Sequence, residues 1–312
     1  MHLRSRYGKA LTALTAVAAI GLAASMISAR SADAADNHRV VAYYQTQFDH
    51  DSYVSPRALT DNDTGVTDID VGAFHLNDDG SVSLNDTSPD DGKFDRMWDD
   101  LDAMHGKGVH VIGMLGGAAK GTFKNLDTDF DTYYPKLKDL IDKHHLDGVD
   151  LDVEEEMSLQ GVERVIDQLH KDFGDGFIVT LSPVATALNG GGNLSGFGYD
   201  ALYKDRGSSI SWFNAQFYCG WGSLDGTGDY DGAVGHGVVP ASKIVAGTLT
   251  NESNCEGGNG YVPMDKLKST VSELSDKYGD FGGVAGWEYY NSDPGGTDKP
   301  WEWAKNMSSA MG

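Results

Sequence analysis

Short runs of β-forming, mostly apolar residues recur along the chain, with stretches long enough for helices between them. Eight of these runs are predicted as strands, over residues 39–46, 68–76, 108–117, 146–154, 177–183, 210–218, 243–249 and 282–290. Helix-like segments lie between several of the strands, at 93–108, 133–145, 161–174 and 264–279. In the last segment, Met264, Leu267, Val271 and Leu274 recur at steps of three and four residues, which is typical of an amphipathic helix.

The alternation of strands and helices predicts a parallel sheet, because parallel strands need crossover connections. Eight repeats within residues 35–312 fit the α/β class as a single (β/α)8 TIM barrel, which typically takes about 250 residues. An open doubly wound sheet is the rival, but no G-x-G-x-x-G or P-loop follows an early strand. Consecutive predicted strands also lie too close together to hold a large insertion domain.

The beginning of the chain has the pattern of a secretory signal peptide. Three basic residues precede an apolar run from Ala10 to about Ala29, and an Ala-x-Ala step ends at Ala34. A membrane anchor is the alternative, since the run approaches the length of a spanning helix. The content of Ala, Thr and Ser and the Ala-x-Ala step favour cleavage. We therefore expect residues 1–34 to be removed and residues 35–312 to form one secreted, extracellular domain.

The net charge of the chain argues against some classes of binding partner. The sequence has 24 Lys and Arg against 47 Asp and Glu, a net charge of −23. Removal of residues 1–34 leaves 20 basic and 46 acidic residues, a net charge of −26. Such a surface repels nucleic acid and anionic membranes, so neither is expected as a partner of the mature form. A neutral substrate and a monomer are the expectations.

The two cysteines, Cys219 and Cys255, both lie in the part expected to be exported. An oxidising compartment permits a disulfide between them, with two free thiols as the alternative. No Cys and His cluster has the spacing of a zinc site. We expect neither a metal nor a cofactor.

The segment LDGVDLDVEEEMS, over 146–158, concentrates the acidic residues on a predicted strand. Asp150, Asp152 and Glu154 alternate with apolar residues and therefore lie on one side of the strand. In a barrel that side points inward and rises toward the C-terminal face, where barrel enzymes hold their active sites. Stacked carboxylates repel one another and lose hydration, so at least one should hold a proton near neutral pH. A protonated carboxyl group in a cleft is what glycosidic bond cleavage needs as its general acid.

A solvent-facing acidic edge and a calcium loop both suit this segment less well. An acidic edge would not show the apolar alternation of Val149, Leu151 and Val153. A calcium loop would need the pattern D-x-[DN]-x-[DN]-G, which is absent here. Glu155 and Glu156 follow the alternating part, and we expect them in a loop or helix start that leads into solvent.

The spacing Asp147-x-x-Asp150-x-Asp152-x-Glu154 resembles the DxxDxDxE signature of glycoside hydrolase family 18, the chitinases and endo-β-N-acetylglucosaminidases. MLGG at 114–117 resembles the S-x-G-G of the family's third strand without its serine, and QFY at 216–218 resembles a sixth-strand segment that supplies a tyrosine. Trp287 resembles the eighth-strand tryptophan that forms the floor of the sugar site. The resemblance extends over essentially all of residues 35–312.

The resemblance implies a role for each matching residue. Glu154 would protonate the departing glycosidic oxygen, and Asp152 would orient the 2-acetamido group of the substrate as it attacks the anomeric carbon. Asp150 would lie below and share a proton with Asp152. Tyr218 would bind the acetamido oxygen with help from Gln216, and an oxazolinium ion would be opened by water with retention of configuration. Asp147 lies three residues before Asp150, so its side chain is on the opposite side of the strand from the other three acids, and it would support the strand.

Further candidates for substrate binding are Gly116, Gly117, Tyr44 and Phe74. The last two lie at the C-terminal ends of the first and second predicted strands, beside His75, and could line a cleft or pack in the core. Trp287 could likewise belong to the core, but an indole stacked on a sugar face suits this fold.

The resemblance leaves two substrates open. One is chitin, and the other is the GlcNAc-GlcNAc core of an Asn-linked glycan. Segments such as VVAYYQT (40–46) and MLGGAAKGTF (114–123) are most similar to secreted endo-β-N-acetylglucosaminidases of filamentous fungi and actinobacteria, which favours the second substrate. A catalytically dead, chitinase-like lectin is the alternative of another class. Such lectins usually lose one of the last three acids, and Asp150, Asp152 and Glu154 are all present.

Overall fold

A closed barrel of eight parallel strands organises the protein, which a computed structural model describes for residues 38–312. Its strands are β1 (Arg39–Tyr44), β2 (Asp68–Leu76), β3 (His110–Gly116), β4 (Gly148–Asp152), β5 (Ile178–Leu181), β6 (Trp212–Gln216), β7 (Ile244–Leu249) and β8 (Gly283–Trp287). Each strand pairs in parallel with the next in the chain, and β1 pairs with β8 as well as with β2, so the barrel closes. The prediction of a single (β/α)8 barrel is confirmed. The predicted signal peptide lies outside the described residues.

Helices surround the barrel and connect its strands. They are α1 (Ala58–Asp61), α2 (Asp95–His105), α3 (Thr122–Thr128), α4 (Phe130–His144), α5 (Leu159–Phe173), α6 (Tyr199–Arg206), α7 (Gly228–Gly235), α8 (Met264–Lys277) and α9 (Glu302–Met311). The four helix-like segments of the sequence correspond to α2, α4, α5 and α8. In residues 38–312, none of the helices combines the length and the apolar character needed to cross a lipid bilayer.

The strands separate an outer core from the barrel interior. Alternate residues such as Val149 and Leu151 belong to the outer core, together with the apolar side chains of the helices. The interior holds a smaller apolar cluster that includes Tyr43, Met114 and Trp212. The rest of the interior is polar, because the inward positions of β4, β5 and β6 carry acids, amides and hydroxyls. The apolar alternation therefore fixes these polar side chains inside the barrel.

Strand β2 has an irregularity that changes which of its side chains face inward. Its pairing with β3 shifts register between Val71 and Phe74. As a result Ala73 belongs to the interior cluster, whereas Phe74 belongs to the outer core. Beyond this point the end of β2 pairs with a short antiparallel strand, Val82–Leu84, so that a hairpin rises above the C-terminal face of the barrel.

Candidate active site

The predicted acidic ladder lies inside the barrel and rises along β4. Asp150 is completely buried, Asp152 is 5% exposed and Glu154 is half-buried. Asp152 and Glu154 line a cavity of about 490 Å³ at the C-terminal face of the barrel. The structure thus brings the two upper acids to one open cavity and keeps the lowest acid beneath it.

Asp150 is held by hydrogen bonds from three other strands or their ends. Thr180 donates to Oδ1 at 2.6 Å and Ser182 to Oδ2 at 2.5 Å, while the Tyr43 hydroxyl donates to Oδ2 at 3.0 Å. The amide of Asn214 approaches Oδ1 at 3.4 Å. Burial raises the pKa of Asp150, and these donors oppose the rise because they stabilise the charged form.

The predicted proton sharing between Asp150 and Asp152 stays a prediction. Within residues 38–312 no hydrogen bond joins the two carboxyl groups, and the oxygens of Asp150 accept from Thr180, Ser182 and Tyr43. Asp150 therefore has a fixed orientation below the cavity.

Asp152 and Glu154 are connected by the side chain of Gln216. Its Nε2 atom donates to Asp152 Oδ1 and to Glu154 Oε1, each at 3.2 Å, and to the carbonyl of Ser182 at 2.9 Å. Burial raises the pKa of Asp152 well above its ordinary value, and the negative charges of Glu154 and Asp150 raise it further. The pair therefore retains a proton in a pH range where an exposed aspartate is ionised.

Tyr218 and Trp287 complete the cavity with aromatic side chains, as predicted for the sugar site. Burial raises the pKa of Tyr218 well above its ordinary value, and Asp152 and Glu154 add to the rise, so its hydroxyl keeps its proton and can donate. Trp287 is half-buried in the cavity wall, and its ring centroid lies 5.5 Å from that of Tyr43. A half-buried indole beside a hydroxyl donor and two carboxyl groups suits a sugar ring.

Gly116 and Gly117 line the same cavity, and both need to be glycine. Gly116 has φ +95°, and a Cβ atom there would lie 2.2 Å from the ring of Phe123. Gly117 has φ +84°. These positions allow the backbone after β3 to pass close to Asp152.

Asp147 lies below the ladder, at the start of β4 and away from the cavity. Its Oδ2 atom accepts the backbone N–H of Val111 at 2.8 Å, and its Oδ1 atom is 3.2 Å from Nε2 of His105. These contacts connect β4 to β3 and α2, which is the supporting position predicted for this residue.

The predictions that Tyr44 and Phe74 bind substrate are wrong, because both side chains point away from the cavity. Tyr44 is fully buried in the outer core and donates to the carbonyl of Val54 at 2.6 Å. Phe74 is also in the outer core, where its ring stacks against Trp98. Phe74 points outward because of the register shift in β2. For Tyr44, both faces of β1 are buried, so the sequence of β1 has no alternation of polar and apolar residues that would predict which side chains point into the cavity.

Several residues that the sequence did not single out belong to the site. Gln45 and His75 line the cavity. Each lies two residues after a side chain that points into the barrel interior, Tyr43 and Ala73 respectively. The donors to Asp150 on β5 and β6 were also missed, although Thr180 and Ser182 alternate with Leu181. That alternation was the available signal for them.

The expectation that Glu155 leads into solvent is wrong. It is only 8% exposed, and its carboxylate accepts the backbone N–H of Gly121 at 2.9 Å and of Phe123 at 2.8 Å. These groups lie at the start of α3, so Glu155 does meet a positive helix terminus, but one from another part of the chain. The contact fixes the loop between β3 and α3 next to β4.

A disulfide connects Cys219 and Cys255, just beyond the Tyr218 end of the site. It joins the loop after β6 to the loop after β7, and Cys219 itself lines the cavity. In the described part of the chain, no group of three or more His, Cys, Asp or Glu side chains is arranged to hold a metal ion.

Comparisons with known proteins agree with this architecture. No family model matches the chain. The structure resembles that of a fungal endo-β-N-acetylglucosaminidase of glycosyl hydrolase family 18, with 44% identity and a TM-score of 0.84 over 88% of this chain and 98% of that one. It also resembles a chitinase from Aspergillus fumigatus, with 48% identity and a TM-score of 0.80 over 88% of this chain and all of that one.

A curated relative adds a more distant match. Chitinase 2 of Rhizopus oligosporus is 26% identical over 204 residues, which are 61% of this chain and 35% of that protein. The chain thus spans about a third of the length of this relative. With two relatives above 40% identity matched over nearly their whole length, and with the acidic ladder inside a (β/α)8 barrel, the chain belongs to glycoside hydrolase family 18 and is a glycosyl hydrolase.

Proposed function

We propose that this protein is an endo-β-N-acetylglucosaminidase that hydrolyses the β-1,4 bond in the GlcNAc-GlcNAc core of Asn-linked glycans. The observation that carries the proposal is the pair Asp152 and Glu154, bridged by Gln216 in an open cavity whose wall includes Trp287. One carboxyl group of such a pair can donate a proton while the other organises the reacting group of the sugar.

The reaction is substrate-assisted. Glu154 donates its proton to the glycosidic oxygen as the bond from the anomeric carbon to that oxygen breaks. The acetamido oxygen of the same sugar forms the new bond to the anomeric carbon, which gives an oxazolinium ion. Asp152 accepts a hydrogen bond from the acetamido N–H, and Tyr218 donates one to the acetamido oxygen. Water then opens the ring and gives a proton to Glu154, so configuration is retained.

Asp150 supports this chemistry from below without touching the substrate. Its hydroxyl and amide donors hold its carboxyl group in place. Burial keeps the pKa of Asp152 high, and the charges of Glu154 and then Asp150 raise it further. A high pKa on Asp152 favours retention of the proton that the pair needs before each turnover.

A chitinase is the second candidate. It is favoured by the 48% identical structure and by the curated relative, both of which are named chitinases. The endo-β-N-acetylglucosaminidase is favoured by the 44% identical structure and its TM-score of 0.84. Both candidates share the catalytic residues and differ in what lies beyond the reacting sugar.

One assay separates the two candidates. The purified protein is incubated with a high-mannose glycoprotein and, separately, with a chitin oligosaccharide. The proposal expects a glycoprotein that keeps one GlcNAc on each Asn and a chitin oligosaccharide that stays uncut. The reverse result would assign the protein to the chitinases.

The role of Glu154 is tested by Glu154→Gln, which keeps the shape of the side chain but removes the transferable proton. Hydrolysis should slow by about a hundredfold or more, as expected for loss of a general acid. Glu156→Gln is the control, because Glu156 is exposed and lies just two positions away. Near-normal hydrolysis by Glu154→Gln would assign the acid role to another group.

We also propose that the protein is exported. Support comes from the signal-like pattern before Ala35 and from the disulfide between Cys219 and Cys255, which suits an oxidising compartment. N-terminal sequencing of the protein recovered from culture medium would test this, with a first residue near Ala35 expected.

A further inference from the structure

A buried carboxyl group lies where the first and last strands of the barrel meet. Glu288 directly follows Trp287, the last residue of β8, and it is only 6% exposed. Strands β1 and β8 pair in parallel, so Trp287 and Gln45 lie at neighbouring strand ends on the open face of the barrel. Both residues line the catalytic cavity, which holds Asp152 and Glu154. Glu288 is not among the described residues that line this cavity, so it lies behind the wall.

The carboxylate of Glu288 binds the backbone that follows β1. Its Oε2 atom accepts the N–H of Gln45 at 3.1 Å and the N–H of Thr46 at 2.8 Å. Its Oε1 atom accepts the hydroxyl of Thr46 at 2.7 Å. The carbonyl of Gln45 accepts the amide of Asn85 at 3.0 Å. Both backbone groups of Gln45 are therefore held, which fixes the point from which its side chain enters the cavity wall.

The backbone that carries the carboxylate is itself fixed by the loop after β7. The carbonyl of Trp287 accepts the N–H of Thr250 at 2.9 Å and the amide of Asn254 at 3.0 Å. The carbonyl of Glu288 accepts the hydroxyl of Thr250 at 2.6 Å and that of Ser292 at 2.8 Å. Glu288 thus reaches from a fixed segment, residues 287–288, to the first residues after β1.

The contact between the two segments is made by a charged acceptor. Every group that faces the carboxylate of Glu288 is a donor, since two are backbone N–H groups and one is the hydroxyl of Thr46. Burial raises the pKa of Glu288, and the donors oppose the rise because they stabilise the charged form. Hydrogen bonds to an ionised acceptor are about twice as strong as those between neutral groups. The end of β8 is therefore held firmly to the segment after β1.

This contact determines how two parts of the cavity wall lie relative to each other. Trp287 is joined to Glu288 by one peptide bond, and Gln45 is held by the carboxylate of Glu288. The indole of Trp287 also packs against Tyr43, with ring centroids 5.5 Å apart, and Tyr43 is two residues before Gln45. A small displacement of the carboxylate would change the separation of the indole and Gln45, and sugar binding depends on such placement.

We propose that Glu288 is a positioning residue for the sugar, because it sets the placement of the Trp287 indole relative to Gln45 in the catalytic cavity. Glu288 does not touch the sugar and acts through these two residues. The proposal goes beyond the function proposed above. It needs a glycosyl hydrolase whose substrate lies against Trp287, and it holds for an N-glycan and for chitin alike.

The test is Glu288→Gln, which keeps the size of the side chain but leaves one acceptor oxygen and turns an amide donor toward backbone N–H groups. KM should rise about threefold to tenfold, the contribution of a well-placed aromatic contact. The kcat value should stay within about twofold, since Glu288 contacts none of the side chains of Glu154, Asp152 and Tyr218. A higher KM with unchanged kcat indicates the loss of binding that is equal in the ground state and the transition state.

A milder variant and a binding measurement complete the test. Thr46→Val removes only the hydroxyl that donates to Glu288, so KM should rise by about twofold. The substrate is the high-mannose glycoprotein, or the chitin oligosaccharide if that is what the wild-type protein cleaves. Calorimetric titration of the same substrate into Glu154→Gln, with and without Glu288→Gln, should show the Kd rising by the same factor as KM.

Asp100→Asn is the matched control. Asp100 is 7% exposed, and its Oδ2 atom accepts the hydroxyls of Tyr53 at 2.9 Å and Ser55 at 2.6 Å. Asp100 thus holds the same segment after β1 at a point further along the chain, and none of these three residues is among those that line the catalytic cavity. Asp100→Asn should lower the melting temperature, as Glu288→Gln should, and leave KM unchanged.

The outcomes decide the role of Glu288. An unchanged KM in folded Glu288→Gln would overturn the proposal, and so would an equal rise of KM in Asp100→Asn, which would indicate general loosening of the segment. A loss of kcat alone would place Glu288 in the chemical step and would also overturn it. If Glu288→Gln did not fold, an unchanged KM in Thr46→Val would overturn the proposal. Cleavage of chitin alone would overturn the proposed function, while the KM comparison would still decide the role of Glu288.

Discussion

Two aspartates on β2 show how the surroundings of a side chain set its charge. Asp68 and Asp70 are both completely buried. Burial acts to raise the pKa of Asp68, but the hydrogen bond to His110 and the charge of Arg39 outweigh it, and the pKa is lowered. Among the described residues, Asp70 forms no ion pair. Burial raises its pKa well above the ordinary value, and the charges of Asp150 and Asp68 raise it further. The charged form is therefore favoured at Asp68 and the protonated form at Asp70.

The substitution Asp70→Asn should become relatively more stabilising as pH rises. A raised pKa in the folded state means that the stability linked to this group is complete below about pH 4, the unfolded pKa, and is lost as pH rises toward the folded pKa. The amide does not ionise, so the variant avoids that loss, which is about 1.4 kcal/mol for each pH unit that separates the folded pKa from the unfolded pKa. Thermal unfolding at pH 4 and pH 8 measures the difference between variant and wild type.

Asp68→Asn is the matched control, with the opposite sign expected. The stability linked to a lowered pKa is present above about pH 4 and is lost in more acid solution, so the destabilisation by this variant should grow from pH 3 to pH 5, a range in which His110 stays charged. Thermal unfolding of both variants at pH 3 and pH 5 should therefore show opposite shifts relative to the wild-type protein, and shifts in the same direction would mean that the raised pKa of Asp70 is wrong.

At the scale of the elements, the loop between β3 and α3 depends on a residue that follows β4. Residues 117–119 of this loop line the cavity that holds Asp152 and Glu154, and residues 119–122 line a second cavity of about 690 Å³ beside it. Glu155 fixes the loop by accepting hydrogen bonds from Gly121 and Phe123. One buried carboxylate therefore holds a loop that contributes to the walls of both cavities.

Replacing Glu155 with Gln should loosen this loop. The amide keeps one acceptor oxygen and turns a donor toward backbone N–H groups, which should cost about 1–3 kcal/mol of local stability. Hydrogen exchange of residues 117–123 should become faster, and KM for the glycan should rise more than kcat falls. Glu156→Gln serves as the control, since Glu156 is exposed. Unchanged exchange in Glu155→Gln would mean that other contacts hold the loop.

At the scale of the whole molecule, the disulfide constrains the part of the barrel that carries Tyr218. Cys219 and Cys255 are separated by 36 residues, which include β7. A cross-link over a loop of this length stabilises a folded protein by about 4 kcal/mol, because it restricts the unfolded chain.

The double substitution Cys219→Ser and Cys255→Ser should lower the melting temperature by roughly 8–16 °C, at about 2–4 °C per kcal/mol for a chain of this size. The wild-type protein measured with a reducing agent should show a similar shift, and the double variant should not respond to that agent. A melting temperature equal to that of the wild-type protein would show that the bond contributes no net stability.

Much of the fold was predictable because each strand is short and strongly apolar and each long helix has a clear period. All eight strands were found, with ends within a few residues. Short helices such as α6 and α7 were missed, because segments with several glycines or charges have little amphipathic pattern, and their contacts with the barrel stabilise them.

The sequence by itself determined the direction of the acidic ladder. Asp150 and Asp152 alternate with Val149 and Leu151, and the period of a strand is two, so the four side chains could only divide between the interior and the outer core. The spacing of Glu154 from them then placed it at the open end of the barrel.

The tertiary structure decided the rest of the site. Strand β1 buries both faces, so the choice between Tyr43 and Tyr44 depended on pairing, and the register shift in β2 turned His75 rather than Phe74 toward the cavity. Asn214 reaches Asp70 across 144 residues of chain, and the second cavity is formed by the segments that follow β1, β2 and β3. These contacts depend on which strands become neighbours in space. Local sequence periodicity does not specify this, because it relates only residues that are close together in the chain.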